Sequence, residues 1–327
     1  MGLFLSLFFG FVPMFVYAAF IYWLDRYEKE PKLLLGGVFL WGAFVASAGA
    51  FLINTTLGVG VYALTGSDAA TELTTGAIVA PVVEESLKGL AVLLVFLLFR
   101  REFDSLLDGV IYAAVAALGF AATENAYYIY QYGYLEEGLG GLLWLVFVRV
   151  LLVGWQHPFY TAFTGIGLAA ARLSRRPAVK LFAPLTGLTL AVIAHSLHNT
   201  LASLWSGGTG LIIGTALDWS GWAFMFVFIL WAVVRERAWI RRHLLEEMEL
   251  GLLTPEQYRV AGSAWAIGRA RFAGLFQGRF GPTSRFYQVC AELAHKKQQL
   301  TTLGDEDGNT LIVAGLRDEL TRLREQI

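Results

Sequence analysis

Cysteine occurs once in 327 residues, at Cys290. A lone thiol closes no intrachain disulfide and makes no cysteine-based metal motif, so a disulfide scaffold and a zinc ribbon are excluded. Its expected state is a buried or half-buried apolar side chain. Charge is scarce as well: Asp, Glu, Lys and Arg make up 16% of the chain, against about 25% in soluble domains. The two signs nearly cancel, 25 Lys and Arg against 26 Asp and Glu, and no basic stripe stands out. Nothing here offers the electrostatic footprint of a nucleic-acid binder. No internal repeat and no His-Glu-x-x-His stretch occurs. The N-terminus lacks the basic region of a secretory signal peptide, and "DRYEKEPK" follows its first apolar run where a cleavage site would stand. That run is expected to be a retained helix.

What is abundant is apolar. Hydrophobic residues make up 56% of the chain, and nearly all the long apolar runs lie in residues 1–234. About 20 apolar residues span the hydrocarbon core as a helix. Seven candidates follow: 3–24, 33–54, 76–99, 108–129, 141–171, 181–204 and 210–234. The connecting segments 25–32, 100–105, 172–180 and 235–242 are basic, whereas 55–75, 130–140 and 205–209 contain no Lys or Arg. The alternation places the N-terminus outside and the C-terminus in the cytoplasm. The expected fold is an all-α polytopic helical bundle in the cell membrane, residues 1–234, followed by a helical cytoplasmic tail, residues 235–327. The tail shows helical patterns at 236–250, 255–275, 284–302 and 310–326, with Thr254 as N-cap and Pro255 in the first turn of the second. It is expected to contact a regulator or a second copy. His243 and His295 read as solvated.

The spans nevertheless carry charge. "PVVEESLKGL" places Glu84, Glu85 and Lys88 inside the third. A charge at the bilayer centre costs about 2.5–3.5 kcal/mol on insertion scales. On a helix both carboxylates reach the ammonium, at i,i+4 and i,i+3. Two adjacent carboxylates in a low dielectric do not titrate alike, which suits acid–base work. The fourth span carries Glu124 and Asn125 in "FAATEN". The fifth carries Arg149 and His157 in "VRVLLVGWQHPFY", where Pro158 is expected to bend the helix. The sixth carries His195, His198 and Asn199 in "HSLHN". Counted from the basic flanks, Glu84, Glu124, His157 and His195 each lie about 22–24 Å along their own helix at 1.5 Å per residue. Four helices thus place ionisable groups in one layer, which points to one shared polar site.

With these residues the sequence resembles the PrsW family of intramembrane proteases, within the wider group of CAAX-processing and Abi-type proteases. "EESLK" fits that family's EExxK, "FAATEN" its FxxxEN, His157 its histidine on a long helix and "HSLHN" its HxxxN. The wider group usually has EExxxR and FxxxH; Lys88 and Glu124 stand here instead, which favours the PrsW branch. The resemblance covers residues 81–199 and implies hydrolysis of peptide bonds in or near the bilayer. It implies that a glutamate activates water, a histidine assists, and His195 with Asn199 stabilises the oxyanion. Glu84 or Glu85 fits the base, with its partner held by Lys88; His157 fits a proton shuttle; His198 orients its neighbours. The implied substrate is a single-pass membrane protein, in the family a membrane-bound anti-sigma factor. Neither metal nor cofactor is expected on this reading. Three rivals stand beside it: a zinc site of His157, His195, His198 and a glutamate, a proton-coupled transporter, and a non-catalytic scaffold. The depth of the layer places cleavage near the extracytoplasmic end of a substrate helix.

Overall fold

A computed structural model describes residues 1–204 and 208–327, with the backbone alone for Asp307. Residues 205–207 of the expected outside segment 205–209 lie outside the described residues. Among the described residues the chain is helical throughout, with no strand. The helices are α1 (Gly2–Leu24), α2 (Lys32–Leu40), α3 (Ser47–Thr65), α4 (Asp68–Thr74), α5 (Ala80–Leu98), α6 (Leu106–Tyr128), α7 (Leu135–Leu145), α8 (Gln156–Arg172), α9 (Pro177–Leu204), α10 (Gly208–Glu249), α11 (Pro255–Ala261), α12 (Ala264–Phe276), α13 (Phe280–Leu303) and α14 (Asn309–Arg324). Wider π-helical turns join α2 to α3, α4 to α5 and α6 to α7, and one at Val146–Leu152 follows α7.

Two compact units result. The first holds residues 1–23, 31–172 and 178–227; the second holds 24–30, 173–177 and 228–327. In the first, α6 is the central helix. Its residues Leu107 to Ala122 are buried without interruption. Its sequence "DGVIYAAVAALGFAA" explains this, because small side chains let neighbouring backbones come close where lipid gives no hydrophobic drive. A Cβ on Gly109 would lie 2.2 Å from the Gly165 carbonyl of α8, and one on Gly119 would lie 2.0 Å from the Phe39 carbonyl of α2. Ser105 and Asp108 start α6 with a capping box. α1 buries a narrow seam, Gly2, Ser6, Gly10, Met14 and Ile21. Many of its other apolar side chains, such as Phe4, Phe15 and Val16, are exposed, as a lipid-facing helix requires.

Gly109 carries a first prediction. Gly109→Ala forces apart the α6–α8 pair, which holds Glu124 and His157, at a cost of about 1–3 kcal/mol. Gly36→Ala, with no atom within 4 Å of the added Cβ, is the control. Thermal unfolding in detergent is expected to show a lower midpoint for the first variant only; equal midpoints would remove the close-packing argument.

Among the described residues, five helical stretches are long and apolar enough to cross a membrane: Gly2–Leu24, Lys32–Thr65, Leu106–Arg172, Pro177–Leu204 and Gly208–Glu249. The count of seven spans therefore rests on two further features. Residues 106–172 contain two of the expected spans, and α5 is the third expected span with three charged residues in 19. The expected loop 130–140 is helical on both sides of a reversal at Gly138, whose φ of 66° and ψ of −143° suit only glycine. The reversal brings Gly133 against Gly141. The bend expected at Pro158 lies earlier. Val153–Trp155 leave the helix, and Pro158 sits in the first turn of α8, where a missing N–H costs nothing.

The second unit has its own core, including Tyr27, Ile240, Leu244, Phe286, Val289 and Leu293. Cys290 is 1% exposed within it, and burial pushes its thiol pKa up. The pattern 255–275 is split at Gly262, and Ser263 caps α12 by accepting from the Ala266 N–H. The Thr254–Gln257 capping box opens α11. His295 is buried rather than solvated, with Glu28 Oε2 at 2.6 Å and Glu236 Oε1 at 3.2 Å. His243 is half-buried against Gln298. Both histidines lie on faces that their helices turn inward, which the polar composition of the tail concealed.

Candidate active site

α5 supplies three charges at one point. Lys88, fully buried, has its Nζ 2.6 Å from Glu85 Oε1 and 3.8 Å from Glu84 Oε2. It also lies 4.4 Å from the centre of the Phe120 ring. A buried ammonium requires such partners, because desolvation costs several kcal/mol per ion. Glu85, equally buried, spreads its two oxygens over three donors. Oε1 takes Lys88 and, at 3.0 Å, His195 Nδ1; Oε2 takes the Thr161 hydroxyl at 2.8 Å.

α6 supplies Glu124, which has a cation of its own. Arg149 donates to Glu124 Oε2 at 2.7 Å and to Asn125 Oδ1 at 3.0 Å, and stacks over Tyr128 with 4.0 Å to the ring centre. His157, in the first turn of α8, lies between the two ion pairs. Its Nε2 is 2.9 Å from Glu124 Oε2 and its Nδ1 is 3.3 Å from Lys88 Nζ. An ammonium only donates, so Nδ1 is the acceptor and the Nε2–H donates to Glu124. By the same logic the His195 Nδ1–H donates to Glu85, which leaves the Nε2 lone pair on the side of Glu84 Oε2, 3.9 Å away.

Of the three clustered glutamates, Glu84 has the most distant cation, Lys88 Nζ at 3.8 Å. Its Oε1 has Asn54 Nδ2 at 3.5 Å, and its Oε2 is buried with no hydrogen-bond partner. It lines a cavity of about 470 Å³ together with Glu124 and residues of α3 and α6. The expected shared layer is thus one connected cluster of Glu84, Glu85, Lys88, Glu124, Asn125, His157 and His195. His198 and Asn199 lie beside it. His198 Nδ1 faces Asp218 Oδ1 of α10 at 3.1 Å, and Asn199 donates to the Gly76 carbonyl at 2.9 Å. The hydrogen bond of Asn199 ties α9 to the turn before α5 with one of the two N–H groups of its amide.

Five partners escaped the sequence reading of the site. Arg149 was visible as an intramembrane cation, but nothing paired it with Glu124 across 25 residues. Asn54 and Thr161 are neutral and ordinary in helices. Tyr160 donates to Asp218 at 3.1 Å and stacks on His195 with ring centres 5.0 Å apart. The lone acid Asp218 in the run "LIIGTALDWSGW" was the available signal for that pair.

One set of donors fits a divalent metal. Glu84, His157 and His195 each offer one ligand atom, all within 4.8 Å of one another. The fit is supported by the unpartnered Glu84 Oε2 and by the carboxylates that hold the other nitrogen of each imidazole, Glu124 for His157 and Glu85 for His195. Such carboxylate–histidine pairs fix the tautomer of metal-binding imidazoles, and three protein ligands leave a position for water. His198, bound to Asp218, is outside the set.

Residues 30–234 match the family described as PrsW family intramembrane metalloprotease. The chain belongs to the PrsW family. Among curated relatives, Protease PrsW of Bacillus subtilis (strain 168) is 27% identical over 222 residues, 68% of this chain and 88% of that protein. Protease PrsW of Clostridioides difficile (strain 630) is 35% identical over 121 residues, 37% of this chain and 48% of that protein. Protease PrsW of Halalkalibacterium halodurans is 32% identical over 105 residues, 32% of this chain and 44% of that protein. The chain therefore spans about half the length of the last two. No solved structure matches it. All clustered residues of this PrsW-family chain fall within 30–234, and α11–α14 lie beyond the family match.

Proposed function

We propose that this integral membrane protein is an intramembrane endopeptidase of the cell membrane, with its N-terminus outside, that hydrolyses peptide bonds of single-pass membrane proteins. The observation that carries the reading is Glu84 Oε2, buried, unpartnered and facing two carboxylate-held imidazoles at the wall of a cavity. A divalent cation on Glu84, His157 and His195 would polarise the scissile carbonyl and acidify a bound water. The chain's own residues do the rest. Glu85 and Glu124 hold the two imidazoles, Lys88 and Arg149 neutralise those carboxylates, and the burial of the cluster strengthens each electrostatic contact. Glu84 takes the role of the glutamate that faces water.

A metal-free reading has one observation in its favour. Lys88 Nζ already sits 3.3 Å from the His157 lone pair, so the chain carries a cation at the place a metal would compete for. Glu84 alone is then the base. An anti-sigma-factor-type regulator is the substrate class that the family resemblance suggests.

One experiment reads all three points. The purified protein, in liposomes with single-pass reporter proteins, is treated with a membrane-permeant chelator, and product termini are mapped by mass spectrometry. The expected result is loss of cleavage, recovery on adding zinc, and new termini near the extracytoplasmic end of the reporter helix. Cleavage indifferent to chelation, by protein with no bound metal, would select the metal-free reading. No cleavage of any reporter before treatment would sink the peptidase proposal.

A further inference from the structure

The cavity beside Glu84 lies between α3 with the turn before it and α6. Its walls include Ala43, Phe44, Ala48, Phe51 and Phe120. Two of its hydroxyls are already committed to backbone: Ser47 donates to Gly42 at 2.9 Å and Thr123 to Ala43 at 2.6 Å. Asn54 differs. Its Nδ2 reaches Glu84 Oε1 only at 3.5 Å, the outer limit of a hydrogen bond, and its Oδ1 is buried with no hydrogen-bond partner. A buried acceptor left in that state costs about 1–3 kcal/mol, so the retention of this half-buried asparagine on an apolar helix calls for a use. The amide of Asn199 is engaged by Gly76.

We propose that this cavity is the seat of the scissile segment and that Asn54 is its backbone anchor, with Nδ2–H given to a substrate carbonyl and Oδ1 taking a substrate N–H. The inference rests on the peptidase reading and names what that site accepts. An extended residue presents one C=O and one N–H, and the side-chain amide presents their complements. A helical segment has neither group free, so the occupant is unwound. The apolar walls select bulky apolar side chains, and about 470 Å³ lies within the range of ligand-sized pockets, roughly 300–1,000 Å³. The cavity is continuous with the catalytic cluster, since Glu84 and Glu124 line it.

The test uses the full chain carrying Cys290→Ser and Ala48→Cys in liposomes. The probe is a synthetic single-span peptide of Leu and Ala with a central Gly-Pro step. Maleimide labelling at position 48 is followed with and without the peptide, and Leu97→Cys on α5 is the control. Protection is read whether or not the peptide is cut, so it separates this inference from the hydrolytic reading. The expected result is at least tenfold slower labelling at position 48 with no change at 97. The protection is expected to be lost in Asn54→Leu, which keeps volume and removes both hydrogen bonds, and kept in part by Asn54→Gln. For cleaved reporters, Asn54→Leu is expected to lower kcat/KM by tenfold or more with an unfolding midpoint no lower than that of the wild type. No protection at position 48, or equal protection in the Asn54→Leu variant, overturns the proposal.

Discussion

Glu84→Gln is expected to abolish hydrolysis, by about 10³-fold or more, while leaving the protein inserted and folded. Each half follows from the geometry. Among the clustered glutamates, Glu84 is the one with a buried oxygen, Oε2, that has no hydrogen-bond partner, and that oxygen faces the lone pair of His195. Neutralising Glu84 removes the only anionic ligand of the metal set, or, in the metal-free reading, the proton acceptor. It strands no cation, because Lys88 keeps Glu85 at 2.6 Å and Arg149 keeps Glu124 at 2.7 Å. The amide preserves shape and still presents an oxygen to Asn54. Turnover of a membrane-embedded reporter and the thermal unfolding midpoint, measured on one preparation, give the two readouts. A Glu84→Gln protein that cleaves at the wild-type rate would transfer the role to another carboxylate. One that fails to fold would turn Glu84 into a structural ion.

That distinction between two adjacent glutamates was not legible in the sequence. "EESLK" puts both residues within reach of Lys88, and helical spacing treats them alike. What separates them is tertiary: the Thr161 hydroxyl and the His195 ring come from α8 and α9 and converge on Glu85 alone. The helices, the apolar character of residues 1–234 and the meeting of four spans at one polar site could be read from hydropathy and from residues counted along the chain, because rise per residue is a local property. The break before His157 could not. It follows from Val153–Trp155 leaving the helix, whereas the sequence directed attention to Pro158, a residue that the first turn of a helix accommodates. The reversal at Gly138 was hidden for a related reason. Its segment "YQYGYLEEGLGG" reads as a loop by composition but folds as helix on both sides of one glycine. Asn54 had no sequence signal at all, since an asparagine near the end of an apolar run is common and its meaning comes from facing Glu84 across the cavity.

The Lys88–Glu85 pair is expected to show the largest stability effects in the molecule. Lys88→Met leaves the buried Glu85 carboxylate without its ammonium, and Glu85→Leu leaves the buried Lys88 with Glu84, at 3.8 Å, as its remaining carboxylate beside the His157 lone pair. Breaking one side of a buried pair costs about 3–5 kcal/mol, whereas replacing both sides with apolar groups can be near neutral. Each single variant is therefore expected to unfold at a markedly lower temperature. The double variant Lys88→Met with Glu85→Leu should recover a large part of the loss, with a coupling energy above about 1 kcal/mol. Recovery is expected to stop short of wild type, because removing Glu85 also leaves the His195 Nδ1–H and the Thr161 hydroxyl, both buried, without an acceptor. The same deficit predicts that activity does not return. His195 without Glu85 no longer holds its Nε2 lone pair toward Glu84, so the double variant should fold and bind yet cleave about 10–100-fold more slowly than the wild type, a loss typical of removing a partner that orients a metal-binding imidazole. Thermal unfolding in nanodiscs gives the stability cycle, and reporter cleavage gives the activity. Strictly additive destabilisation would show that the two charges do not depend on each other for burial. Restored stability with restored cleavage would show that Glu85 serves the ion pair alone and has no part in orienting His195.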